Sequence, residues 1–300
     1  MPQVASHVAD AKQTGTMPVR FADEIGPNEP LADRALVTMA VGDRYLCCWQ
    51  QVARPTWTAY ADRHGIDIVV IRAPVDASAR AAARSVAWQK CLVPAQPWAM
   101  RYRRLCWVDA DILINPDSPD IFNDVPDGQI GATSVHDQLS RSEKHVLLER
   151  VHRRRFSEAD IDPVWAETQV GLYRAAAIDT QRVDMIQTGV VVFDPERHAG
   201  VFAASYAYDR DTIAYEQPSL SHEIWESGRF HRISARWNWG LFDAVALHYP
   251  MYLGDDGRMT GPANEFAVIA GRELHSAYFL HFYRMFGILE MLRPSVSQTT

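Results

Sequence analysis

Apolar residues fall along the chain in short unbroken runs, and stretches of helical spacing lie between them. Ala35 to Val41 is a run of β-formers holding a single threonine and stopped by Gly42 and Asp43, the pattern of a strand buried on both faces that opens into a loop. Tyr45 to Gly65 places apolar residues at helical spacing, with Pro55 expected to divide the helix and Gly65 to stop it. Ile66 to Ala73 predicts a second strand, Ala77 to Pro94 a second helix, and Arg103 to Ile114 a third strand. Alternation of strand and helix at this spacing predicts an α/β fold around a doubly wound parallel sheet with flanking helices.

Further along, Ser118 to Asp124 is a short acidic segment, and Gly128 to Val135 predicts another strand. So does Val190 to Phe193, with Gly189 at its start, while Arg229 to Trp239 holds one more and the apolar run toward Tyr283 carries His281 at its end. The block Asp137 to Asp184 is longer than a simple crossover requires and is expected to be an acceptor-side insertion over the sheet edge. Within it, Ser140 is placed to cap a helix running to Phe156, with Glu143 as capping-box partner. Residues 1–32 are polar, contain prolines and show no period, so a mobile N-terminal arm is expected ahead of one domain spanning residues 33–300.

Composition narrows the classes. The 300 residues are 47% hydrophobic and carry a net charge of −7, enough to bury a large core and contrary to a general nucleic-acid surface. The basic run Arg150 to Phe156 is expected as a solvated helix face, although it leaves open peripheral contact with a membrane. Cys47, Cys48, Cys91 and Cys106 form no C-x-x-C pair and sit among apolar neighbours, which predicts reduced, buried thiols and no zinc site. No secretory leader and no uncharged apolar run of membrane-spanning length is seen, so a cytoplasmic location is expected. Lysine occurs only at positions 12, 90 and 144, which singles out Lys90 beside the predicted sheet.

The sharpest chemical signal is Asp109-Ala110-Asp111, at the end of the apolar run Leu105 to Val108. Two carboxylates that close repel unless a cation lies between them. On a strand, positions i and i+2 share a face, so the pair suits a hard divalent ion shared with a diphosphate. Asp43 also falls at a predicted strand end, and ligands of open α/β sheets sit beyond such ends.

Taken together, "LCWVDADILINP", "VTMAVGDRYL", "WQKCLVP", "QTGVVVFDP", "YEQPSL" and "FLHFY" resemble, in order, segments of the nucleotide-sugar glycosyltransferases of the GT-A fold. The likeness is strongest to the retaining group of glycogenin-like and lipopolysaccharide galactosyltransferase-like enzymes and the related galactosyl and mannosyltransferases. It spans Ala35 to Tyr283 and implies a Rossmann-like sheet, a nucleoside diphosphate sugar donor, UDP before other bases, and a hydroxyl acceptor on a glycan, lipid or small molecule. It assigns the metal to Asp109, Asp111 and His281, and an imidazole among carboxylates suits Mn²⁺ better than Mg²⁺. Donor contacts are implied for Val41, Gly42 and Ala110, for Asp43 and Tyr45 at the base or ribose, for Arg84 and Lys90 at the phosphate or the sugar, and for Gln187 and Gly189 around the sugar. Glu216 and Gln217 match the pair that faces the anomeric carbon.

Three departures stand out. The group carries asparagine where this chain has Gln187 and aspartate where it has Glu216, and its late glycine and lysine are missing, with Arg284 the one candidate to replace that lysine. The resemblance implies a metal-dependent hexosyltransferase acting with retention. An inverting enzyme would instead need a base, for which Asp209, Asp211 and Glu216 are candidates. Two other readings stand beside it: a sugar-nucleotide or glycan-binding protein without turnover, and a D-x-D phosphohydrolase, which the lack of any lysine after Lys144 disfavours.

Overall fold

The computed structural model describes residues 17–135, 138–152, 155, 157–254 and 259–293. Its strands are β1 (Val19–Phe21), β2 (Arg34–Met39), β3 (Asp67–Ile71), β4 (Arg104–Val108), β5 (Ile112–Ile114), β6 (Ile130–Ser134), β7 (Ile186–Phe193), β8 (Phe230–Arg232), β9 (Trp239–Gly240) and β10 (Phe279–His281). Its α-helices are α1 (Asp43–Cys48), α2 (Arg54–His64), α3 (Ala79–Ala82), α4 (Arg141–His152), α5 (Ile161–Ala175), α6 (Pro195–Tyr206), α7 (Gln217–Glu226), α8 (Leu241–His248), α9 (Ala263–Ser276) and α10 (Phe286–Met291).

A seven-stranded sheet runs in the order β1-β3-β2-β4-β7-β6-β8, and every strand in it is parallel except β7, which is antiparallel to both β4 and β6. The expected mostly parallel α/β sheet is thus present, with one reversal that the apolar run at Val190 could not reveal, since such a run looks alike in either direction. Alternate residues of the central strands serve opposite faces. Leu36, Ile68, Cys106 and Val190 pack under α2 and α9 with Trp57, Tyr60 and Phe266, and Ala35, Val69, Leu105 and Val191 pack under α6 and α7 with Phe202, Leu220 and Ile224.

Several expected elements end elsewhere. Of the expected arm, residues 1–16 lie outside the described residues, but Val19–Phe21 pairs with β3 as an edge strand. The fold therefore starts before residue 33, and a three-residue strand is too short to show a period. The expected third strand is two. β4 ends at Val108, Ile112 bonds back to the Asp109 carbonyl at 3.2 Å, and β5 joins a separate three-stranded sheet in the order β5-β10-β9. Asp109 and Asp111 therefore occupy a turn between sheets rather than one face of a strand.

The second helix is interrupted too. α3 covers only Ala79–Ala82 and a 3₁₀ stretch covers Val86–Ala95, because Ser85 leaves helical geometry to cap the second segment and gives its amide to Asp211 at 3.0 Å. Pro55 does not divide its helix. A π-helical turn at Trp49–Ala53, where the Arg54 amide bonds to the carbonyl of Trp49, widens the helix just ahead of the proline. Gly65 ends α2 in left-handed backbone, as expected.

The insertion holds α4 and α5. The Ser140–Glu143 capping box forms, with the Ser140 amide 2.7 Å from the Glu143 carboxylate and the Glu143 amide 3.3 Å from Ser140 Oγ. Arg150 binds the carbonyls of Ala246 and Leu247 at the end of α8, so that member of the basic run is structural, and positions 153, 154 and 156 lie outside the described residues. All four cysteines are free and all but Cys47 are buried. No helix of the described residues is long and apolar enough to cross a membrane.

Candidate active site

Strand register brings the aspartates to the histidine. β10 runs antiparallel to β5 with His281 opposite Ile112, and the Phe282 amide bonds to the Asp111 carbonyl at 2.9 Å. On the other side β4 lies antiparallel to β7 with Val108 opposite Val190, and the Asp109 amide bonds to the Gly189 carbonyl at 2.9 Å. Residues eighty and more apart in sequence therefore meet where the two sheets touch. One ligand atom from each of Asp109, Asp111 and His281 lies within 4.8 Å of the others. His281 Nε2 is 3.3 Å from Asp111 Oδ1 and 3.8 Å from Asp109 Oδ2.

The donor set fits a divalent cation. Two carboxylates and an imidazole nitrogen converge from a turn and a strand end, and Asp109 and His281 each have a partner outside the cluster that orients them. Asp109 Oδ1 accepts from Trp107 Nε1 at 2.7 Å and Lys90 Nζ at 3.1 Å, which leaves Oδ2 facing the cluster. His281 Nδ1 lies 2.8 Å from Asn238 Oδ1, which leaves Nε2 for the cluster. Burial alone would raise the Asp111 carboxyl, but His281 beside it outweighs that and holds it below the usual range. Burial likewise works against the His281 imidazolium, and the Asp111 and Asp109 carboxylates reverse the sign, so its pKa is raised.

Behind the cluster lies a buried ion network. Lys90 and Glu216 are 4% and 3% exposed at the side chain, with Nζ and Oε1 2.8 Å apart. The three ammonium donors of Lys90 are matched by Asp109, Glu216 and the Thr188 carbonyl at 3.1 Å, and Thr188 Oγ1 donates to Glu216 Oε1 at 2.9 Å. Burial favours the neutral amine, yet Asp109 and Glu216 outweigh it and raise the Lys90 pKa. For Glu216, burial wins over Lys90 and the carboxyl is raised. Thr188 is reachable because β7 bulges. Its pairing with β6 jumps from Val191 opposite Ala132 to Gln187 opposite Thr133, which frees residues 188–190 to face β4.

Gly189, expected around the sugar, lies against the histidine. A Cβ there would lie 2.5 Å from His281 Cε1 and 2.7 Å from its Nδ1, so the glycine makes room for the imidazole. Gln187 gives its amide to Gln138 Oε1 at 3.3 Å. Gln217 opens α7 and spends its side-chain amide on the Ile186 carbonyl at 3.0 Å. Gly42, φ +87°, lets the chain turn from β2 into α1. Val41 and Ala110 are half-buried and Asp43 is exposed. Tyr45 is exposed on α1 with its ring 4.4 Å from that of Phe286.

Arg84 is not brought to the cluster. Its guanidinium binds the Tyr208 carbonyl at 2.7 Å and the Tyr206 carbonyl at 3.2 Å, and stacks 4.0 Å from the Tyr206 ring. The carbonyls at the end of α6 consume the charge expected for phosphate. Asp209 pairs with Arg80 at 2.8 Å, and Asp211 accepts from Trp88 Nε1 at 2.8 Å. Arg284 is exposed in left-handed backbone, φ +60°, over the Phe242 ring at 5.5 Å. Trp237 is core and gives its indole N–H to Asp124 at 2.6 Å. Sequence reasoning missed Asn238, Thr188, Gln138 and the Trp107 indole. Asn238 lies between two tryptophans, Trp237 and Trp239, and it is the residue of the three that touches the site.

No family model and no curated protein matches the chain. Among solved structures it is similar to a glycosyltransferase involved in the glycosylation of the major capsid of PBCV-1, with 11% identity, a TM-score of 0.46, and coverage of 85% of this chain and 98% of that one. It is also similar to WbbM, a bifunctional glycosyltransferase, at 11% identity and a TM-score of 0.44, over 90% of this chain and 51% of that one, about half of WbbM's length. Mouse xyloside xylosyltransferase 1 aligns at 12% identity and a TM-score of 0.40, over 83% of this chain and 97% of that one. The functional reading rests on the site and the motifs, and takes nothing from these likenesses.

Proposed function

We propose that the protein is a divalent-metal-dependent glycosyltransferase of the GT-A type, moving a sugar from a nucleoside diphosphate donor, UDP before other bases, to a hydroxyl acceptor with retention. One observation carries the reading: Asp109, Asp111 and His281 converge from two sheets directly over a buried Lys90–Glu216 pair. These residues would hold a divalent cation, Mn²⁺ before Mg²⁺, which would supply the positive charge that a diphosphate leaving group needs. Asp109 Oδ2, Asp111 and His281 Nε2 would hold it, the first oriented by Trp107 and Lys90 and the last by Asn238.

Glu216 sits against the β7 bulge through Thr188, and in this reading its carboxylate steadies positive charge on the sugar ring. Gln217 supports that strand through the Ile186 carbonyl. Retention is favoured because all three candidates for an inverting base are already bound, Asp209 to Arg80, Asp211 to Trp88 and Glu216 to Lys90. The test is Mn²⁺-dependent release of the nucleoside diphosphate from its sugar derivatives. Asp111→Asn is expected to stay folded and lose that turnover, and full activity in the variant would remove the metal assignment.

A further inference from the structure

His281 can serve a cation through Nε2 only if its other nitrogen keeps its proton, and one side chain faces that nitrogen. Asn238 Oδ1 lies 2.8 Å from Nδ1, within ordinary hydrogen-bond range. We infer that Asn238 is the positioning residue of the cation site: its carboxamide oxygen accepts the Nδ1 proton of His281 and so fixes the ring with Nε2 turned to Asp109 and Asp111. The inference rests on the metal-dependent reading above and deepens it by naming the residue through which the histidine acts.

The local fold explains why the pair cannot drift. Asn238 closes a 3₁₀ turn at Ala235–Asn238 and leads straight into β9, which pairs with β10 so that Gly240 lies opposite His281. The Asn238 carbonyl accepts from Gln138 Nε2 at 3.0 Å, which ties the turn to the start of the insertion. Across the ring, bare Gly189 leaves no slack, since a Cβ on it would come within 2.7 Å of His281 Nδ1 and 3.2 Å of Asn238 Nδ2. The Tyr283 ring stands edge-on at 5.4 Å. The imidazole is therefore held on three sides, and Asn238 is the side that decides which nitrogen bears the proton.

A packing role alone does not account for this residue. Asn238 is 1% exposed, and its Nδ2 finds no hydrogen-bond partner among the described residues. A buried donor left unpaired costs about 1–3 kcal/mol, a penalty that an apolar side chain of the same size would avoid. The amide is kept at a cost to the fold, and the one bond it makes goes to a candidate metal ligand. That combination marks a group retained for the site and not for stability.

The experiment is a titration of the full-length chain with Mn²⁺, followed by electron spin echo spectroscopy of the bound ion, on wild type, Asn238→Leu and Asn238→Asp. Wild type is expected to bind Mn²⁺ and to show nitrogen modulation from a coordinated imidazole. Asn238→Leu, which keeps the volume and loses the acceptor, is expected to bind about 10–100-fold more weakly with that modulation diminished. Asn238→Asp retains an oxygen facing Nδ1 and is expected to keep both signals. Asn238→Ala removes the amide without adding bulk and carries the same expectation as leucine, which keeps the test decisive if the leucine variant does not fold. Wild-type affinity and modulation in a folded leucine or alanine variant would overturn the inference. Absence of Mn²⁺ binding by wild type would instead overturn the metal-dependent reading on which it rests.

Discussion

Gly189→Ala is the smallest change expected to break the proposed cation site. The glycine lies in ordinary extended backbone on β7, so alanine brings no backbone strain, and the whole effect comes from one methyl group. That carbon would sit 2.5 Å from His281 Cε1, against about 3.5–4.0 Å for carbons in normal contact. The ring must retreat by about 1 Å, while metal ligation tolerates only about 0.2 Å. It has nowhere to go, because Asn238 holds Nδ1 and β10 is paired on both edges, with β5 and β9.

Overpacking of this kind costs about 1–3 kcal/mol of stability, and a displaced ligand is expected to cost at least about tenfold in cation affinity. The assay is calorimetric titration of Mn²⁺ with a thermal melt of each protein. Gly171→Ala in α5, whose added methyl meets nothing within 4 Å, is the control and is expected to gain up to about 1 kcal/mol from helix propensity. A folded Gly189→Ala protein with wild-type Mn²⁺ affinity would refute the reasoning.

Two other outcomes follow from buried charge. Lys90→Met leaves Glu216 and Asp109 without their shared cation and is expected to lower stability by about 3–5 kcal/mol, whereas Lys90→Met with Glu216→Leu recovers most of it; urea denaturation decides, and a single variant within about 1 kcal/mol of wild type would contradict the network. His198 is buried with Nδ1 accepting from the Asp194 amide at 3.0 Å and Nε2 3.2 Å from the Gly128 carbonyl, and burial holds its pKa below the ordinary imidazole value. Since the folded pKa is the lower one, its contribution is present above about pH 6.5 and is lost as pH falls below that. Wild type is expected to lose more stability than His198→Gln on going from about pH 7.5 to 5.5, and equal losses would contradict the assignment.

What was legible in the chain follows from physics local to a few residues. The β2 strand and its Gly42 turn, the capping box at Ser140 and the aspartate pair each announce themselves within a short window. His281 was legible as a motif, but its meeting with Asp111 depends on β10 pairing with β5 across 160 residues and more of chain. Asn238 and Thr188 reach the site by long-range contacts and leave no local mark, whereas the Trp107 indole meets Asp109 only two residues along the chain. Arg84 shows the converse: its charge and position suited phosphate, and only the folded chain reveals that the α6 carbonyls claim it. The split of Arg103 to Ile114 into two strands escaped notice because the turn is made of the very aspartates that drew attention to the stretch.

The most direct test of the central claim is a thermal-shift panel of nucleoside diphosphates and their sugars, each with and without Mn²⁺, on wild type and Asp111→Asn. A ligand at about 100 times its Kd stabilises the native state by about 2.7 kcal/mol, worth roughly 4 °C for a domain of this size. The account predicts a shift of that order for one base, UDP first, that requires Mn²⁺ and vanishes in the variant. A protein that melts cooperatively and shifts with none of them would contradict it.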